Sequence, residues 1–128
     1  VIGMICGGTG VTPMWQVICA VFGEGSKDKS TVKLIFANVK EDDILLREEI
    51  EALQRRFPDR FKVLFVLNEP PENWTGGVGF VSKEHIQEHI GLPSGNKMVL
   101  LCGPLPMNKA MKGNLAELGF SDADYFQF

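Results

Sequence analysis

Residues 7 to 13 read GGTGVTP, set between the apolar run VIGMIC and the apolar segment MWQVICAVF. Glycines and hydroxyl side chains at such a junction leave backbone N–H groups uncovered. A large anion can then approach the backbone, and the start of a helix favours negative charge. The stretch is not a Walker loop, because no Gly-Lys-Ser/Thr follows. It is part of a G-x-G-x-x-G fingerprint: Gly8, Thr9 and Gly10 match, and Pro13 takes the place of the third glycine. The same residues also describe a tight strand–helix turn with no ligand.

Two further segments carry groups suited to chemistry. Asp43 follows Glu41 and Asp42 just after the apolar segment TVKLIFANV. An acid after the second strand of a dinucleotide fold hydrogen-bonds ribose hydroxyls, whereas an acidic first helical turn needs no ligand at all. Cys102 opens the turn CGPLPM (102 to 107). A free cysteine is often a small buried hydrophobe, but a glycine and two prolines directly behind it make a rigid, exposed turn. Both readings of Cys102 stand at this point. His85, Glu88 and His89 form an H-x-x-E-H string, the pattern of one zinc-protease class. No third ligand accompanies it, so the expectation is a surface helix and no metal. Trp15 and Trp74 are expected to be packing residues.

Positioning these groups requires strands that end where they begin. VIGMIC (1 to 6), TVKLIFANV (31 to 39), FKVLFVL (61 to 67), MVLLC (98 to 102) and YFQF (125 to 128) are short and apolar, as buried strands are. Helices are expected from Pro13, with Thr12 as cap, and over EDDILLREEIEALQRRF, whose acids come first and bases last. A short helix from about Ser82 and a last one over MNKAMKGNLAEL, closed by Gly119, complete the set. Strands alternating with helices, apolar on both faces, predict an α/β fold: a five-stranded parallel sheet with helices on both faces. Ligands in such sheets bind beyond the carboxyl ends of the strands. Those ends carry Cys6–Thr12, Asn38–Asp43, Asn68–Gly79 and Cys102–Met107.

The totals bound the function. The chain has 128 residues, room for one domain, with 45% hydrophobic content and a net charge of −3. An acidic isoelectric point near 5.4 argues against a nucleic-acid binder. No apolar run approaches the roughly 20 residues needed to span a bilayer, and no basic tract marks a membrane-facing surface. Cys6, Cys19 and Cys102 do not make a disulfide framework and fit a reducing compartment. The NWT sequon at 73 to 75 is read as unused. The chain starts inside an apolar run with no Met, as an excised domain would.

Taken together, GGTGVTPMWQVI, FANVKEDDILLREEIEAL, RFKVLFVLNEPPENW, GFVSKEHIQEHI, LLCGPLPM and the final FQF resemble the NADH-binding half of the ferredoxin-reductase-like flavoproteins, in particular the NADH–cytochrome b5 reductase family. The resemblance covers essentially the whole chain. EDDILLREE and PDRFKV are similarly close to the C-terminal reductase module of assimilatory nitrate reductase. Residues 1–128 would then be one NAD(H)-binding domain, the C-terminal half of a two-domain flavoprotein, inactive without its FAD-binding barrel. The resemblance implies that Gly7, Gly8, Thr9, Gly10, Thr12 and Pro13 line the pyrophosphate and the flavin-facing edge. Asp43 would select NADH by bonding the free 2′-hydroxyl. Cys102, the catalytic residue by this resemblance, would border the nicotinamide with Gly103, Pro104 and Met107, and Phe128 would close the flavin side. Leu105 and Gln127 depart from the family pattern without removing a polar contact. The implied cofactors are NADH and FAD. The implied partners are the FAD-binding domain of the same parent and a haem-protein acceptor such as cytochrome b5, on the cytoplasmic side and without direct membrane contact from this segment. Outside this class stands a flavodoxin-like binding module, which GGTGVTP matches poorly.

Overall fold

Apolar runs too short for helices form strands, and the longer amphipathic segments between them cover the faces they leave bare. The computed structural model describes residues 1–128. Its strands are β1 (Ile2–Gly7), β2 (Val32–Asn38), β3 (Phe61–Leu67), β4 (Gly77–Val78), β5 (Met98–Cys102) and β6 (Tyr125–Gln127). Its helices are α1 (Val11–Phe22), α2 (Arg47–Arg56), α3 (Lys83–His89) and α4 (Leu105–Glu117). The sheet order is β4-β3-β2-β1-β5-β6, and every pairing is parallel.

Alternation along the strands divides the core into two layers. Met4, Cys6, Leu34 and Phe36 face a cluster that takes in Met14 and Ile18 of α1 and Ile50 of α2. Ile5, Ile35, Val99 and Leu101 face the other, with Ile86 of α3 and Met111 and Leu115 of α4. The sheet is therefore buried on both sides, as its two-faced apolar strands require.

Four expectations are corrected. The sheet has six strands rather than five, because the two-residue Gly77–Val78 adds an outer edge to β3. Thr12 does not cap α1: a 3-10 turn, Gly8–Gly10, runs directly into the helix, so Thr12 lies inside it on the exposed side. The helix expected over 41 to 57 is broken. A 3-10 turn covers Glu41–Asp43, and α2 starts only at Arg47, after Leu46 adopts the left-handed conformation at φ 56°. Finally, α4 starts earlier than expected, at Leu105, because Pro106 tolerates the first helical turn. Ser82 caps α3 as expected, accepting from the His85 N–H while His85 Nδ1 accepts from the Ser82 N–H.

His89 yields a pH prediction. Its Nε2 lies 3.2 Å from the Lys62 carbonyl. Burial holds the imidazole below its ordinary value near 6.5, and the Lys33 and Lys62 cations add to that shift against the carbonyls of Lys62 and Leu34. The unfolded chain therefore takes up the proton first, and stability falls as pH drops through the unfolded value. Urea midpoints measured at about pH 7.5 and about pH 5.5 should differ less for His89→Gln than for the natural chain. Equal differences would remove His89 as a source of acid sensitivity.

Candidate functional site

The chain lays β1 to β4 outward on one side and β5 and β6 on the other, so the order reverses between β1 and β5. Loops leaving two such strands diverge to opposite faces and open a crevice between them. A cleft of about 980 Å³ lies there, lined by the ends of β1, β2, β3 and β5 and the first turns of α4. That is the upper end of the volume range of ligand pockets, about 300–1,000 Å³.

Glycines hold the two walls together. A Cβ on Gly10 would be driven into the Cys102 carbonyl group, its oxygen foremost, with the carbonyl carbon 2.8 Å away. A Cβ on Gly7 would lie 2.7 Å from the Met107 sulfur, and one on Gly103 would lie 2.9 Å from it. The small residues thus let the β1–α1 and β5–α4 junctions nest around Met107. Gly8 differs: its Cβ position is open, but its φ of +55° lies in the left-handed region. The second junction is pinned by buried Asn108, whose Nδ2 donates to the Gly103 carbonyl at 2.9 Å.

The cleft wall carries a single charged side chain, Asp43, and no Lys or Arg. Asp43 Oδ2 accepts from the Lys40 N–H at 3.1 Å, which fixes the carboxylate at the end of β2. Its neighbours are placed elsewhere. Glu41 is held by Arg47 at 2.8 Å, Arg47 also reaches Glu51 at 2.6 Å, and Asp42 does not reach the cleft. No side chain caps α1 or the turn before it, so an anion here would meet backbone N–H groups and the helix dipole.

Of the residues singled out from the sequence, the structure brings Gly7, Gly8, Thr9, Gly10, Asp43, Cys102, Gly103, Pro104 and Met107 into this one cleft. Thr12, Pro13 and Phe128 lie outside its lining. Phe128 is 49% exposed and packs edge-on against Phe126, its N–H donating to the Leu101 carbonyl at 2.9 Å beside the end of β5.

Asn38, Asn68 and Phe80 also line the cleft; the sequence placed the two asparagines in the ligand-facing segments without a role of their own and left Phe80 outside them. Asn38 ends β2 and Asn68 directly follows β3, and a polar residue at the close of an apolar run was the available signal. Asn38 is 8% exposed, and its Nδ2 has no hydrogen-bond partner. Phe80 is 84% exposed at the cleft, and an aromatic face so bare offers a stacking surface. Nothing in its local sequence set it apart from a core residue.

The histidines of the H-x-x-E-H string are engaged separately, His85 in the cap of α3 and His89 at Lys62. No group of three or more His, Cys, Asp or Glu side chains gathers as a metal site. Trp15 packs against the core, and Trp74 does so while donating to the Gly77 carbonyl at 3.0 Å. No helix is long and apolar enough to cross a membrane.

Residues 4–113 match the family described as the oxidoreductase NAD-binding domain. The chain is 56% identical over 126 residues to NADH–cytochrome b5 reductase 1 of Arabidopsis thaliana, covering 98% of this chain and 44% of that protein. Among solved structures it is similar to the cytochrome b5 reductase domain of Ulva prolifera nitrate reductase, with a TM-score of 0.94 and 37% identity over 99% of this chain and 48% of that one. The CS-b5R domains of human Ncb5or, in their NAD+ form, superpose with a TM-score of 0.86 at 31% identity, over 99% of this chain and 36% of that one. The chain spans less than half the length of each of these relatives.

Proposed function

This chain belongs to the oxidoreductase NAD-binding domain family, within its NADH–cytochrome b5 reductase branch, and on that premise we propose that its cleft binds NADH and presents the nicotinamide to a flavin. One observation carries the reading: the cleft sits at the reversal of strand order, its glycine-rich end free of side-chain caps and its only charged side chain at the end of β2. A dinucleotide has this distribution of needs, with an anionic centre and a diol at one end.

In this reading the turn Gly8–Gly10 and the Thr9 hydroxyl hold the pyrophosphate. With no cation on the wall, backbone N–H groups do the neutralising. Asp43 accepts from the adenosine ribose hydroxyls and repels a 2′-phosphate, while Phe80 offers its face to the adenine. Cys102, Gly103, Pro104 and Met107 border the nicotinamide. Thr12 and Pro13 shape the flavin-facing start of α1, and Phe128, with Phe126, gives the apolar surface that the flavin side covers. NADH supplies the hydride and FAD receives it. The chain's own contribution is orientation: two nested junctions whose backbones cannot drift apart fix the ring's distance and face.

The parent in this account carries an FAD-binding domain and passes electrons to a haem protein such as cytochrome b5, on the cytoplasmic side. Three free cysteines accord with that compartment. The TM-score of 0.94 with the nitrate reductase domain supports a second parent, the reductase module of a larger haem flavoprotein. Both parents use the same cleft.

Asp43 tests the assignment. In the complete reductase, Asp43→Asn should narrow the preference for NADH over NADPH in kcat/KM by about 1–3 kcal/mol, as one charged hydrogen bond is lost and one repulsion relieved. An unchanged ratio would take Asp43 out of the site.

A further inference from the structure

Cys6 and Cys102 stand opposite each other at the last register position of the β1–β5 ladder. Neighbouring strands lie about 4.8 Å apart, and disulfides span Cα separations of roughly 4.4–6.8 Å. Both residues point to the same face of the sheet, in and against the same apolar cluster. The pair is the last rung between β1 and β5, so no further rung of this ladder holds the two strands at a fixed spacing beyond it. Access to the two thiols is unequal. Cys102 is half-buried and lines the open cleft, whereas Cys6 is wholly buried beneath it. Cys19, the third thiol, is exposed and lies on α1, in the half of the helix away from the cleft.

We propose that Cys6 and Cys102 are a redox modification site, joined reversibly as a cross-strand disulfide when a hydroperoxide enters the cleft. The peroxide transfers one oxygen to the Cys102 sulfur, giving a sulfenic acid, and its other oxygen leaves as water, or as the alcohol from an organic hydroperoxide. The Cys6 sulfur then attacks that sulfur. The S–S bond forms, the S–O bond breaks, and the hydroxyl leaves as water with the Cys6 proton. Two electrons pass from the thiol pair to the peroxide. The order follows from burial. Desolvation, reinforced by the neighbouring Cys102, pushes the Cys6 thiol well above its ordinary value, so Cys6 stays protonated and unreactive until a sulfenic acid forms beside it. Such bridges in a reducing compartment are transient and sensing rather than structural. This one would withdraw the Cys102 thiol from the cleft wall until a reductant restores it.

The test is covalent and does not depend on any nucleotide being bound. The intact protein carrying Cys19→Ser is reduced, exposed to limiting hydrogen peroxide, denatured and alkylated, then weighed and mapped by peptide mass. The expected product has lost two hydrogen masses, is alkylated at neither Cys6 nor Cys102, links the Cys6 and Cys102 peptides, and returns to the starting mass with dithiothreitol. Cys6→Ala and Cys6→Ser in the same background should instead leave Cys102 as a sulfenic acid that dimedone captures. Accumulation of the sulfinic form at Cys102 with Cys6 still alkylatable would overturn the proposal. So would a bridge found only between two molecules.

Discussion

Gly10→Ala is expected to unseat the site and weaken the fold together. The added Cβ would press into the Cys102 carbonyl group and lie 3.3 Å from the Gly103 nitrogen. The obstacle is backbone at the end of a central strand, so no side chain can swing aside. The β1–α1 and β5–α4 junctions must separate, at a cost of about 1–3 kcal/mol for an overpacked position. Because both walls of the cleft are built on those junctions, NADH affinity should fall with stability. Gly113→Ala supplies the control. Its Cβ meets nothing within 4 Å on the exposed side of α4, so it should stabilise by about 0.5–1 kcal/mol. Urea denaturation gives the stabilities and tryptophan fluorescence the NADH affinity. A Gly10→Ala protein as stable as its parent would mean that the two junctions are not locked together.

Cys102→Ser should slow hydride transfer far more than it loosens NADH. Cys102 lines the cleft at the end of β5, and its own carbonyl makes the glycine contact just described. Serine roughly keeps the size but changes polarity and radius, which shifts how the nicotinamide rests. A misplacement of about 1 Å can cost about 100-fold in rate. In the complete two-domain reductase, flavin reduction in a single turnover should drop by that order while the NADH dissociation constant changes modestly. A lower melting temperature with an unchanged rate would assign Cys102 a purely structural role. A raised dissociation constant with an intact saturated rate would make it a binding residue only.

Much of this was legible because the features were local and doubly marked. GGTGVTP follows an apolar strand and precedes a helix, and CGPLPM follows another, so their convergence needed only the parallel order of strands. What escaped depended on tertiary context. Gly77–Val78 carries no strand signal and becomes β4 only because β3 offers a free edge. The segment from Glu41 reads as one helix by charge and periodicity, yet Leu46 turns left-handed while packing against the core, where burial outweighs propensity. The glycines were read as openings for a ligand, and Gly8 fits that reading. Gly7 and Gly10 instead face the neighbouring junction, a contact between residues almost a hundred positions apart that no local pattern encodes. Phe80 reads as core by residue type, yet it lies two residues past the end of β4 and is bare.

The central claim, that this cleft is an NADH site, is tested most directly by following every backbone amide of the chain through an NADH titration by nuclear magnetic resonance. The account predicts saturable shifts concentrated at Gly8, Thr9 and Gly10, at Asp43, and at Cys102 and Gly103, with NADPH producing weaker changes around Asp43. Shifts confined to other surfaces, such as the shallow groove between Gln54 and His89, or no saturable shift at all, would contradict it.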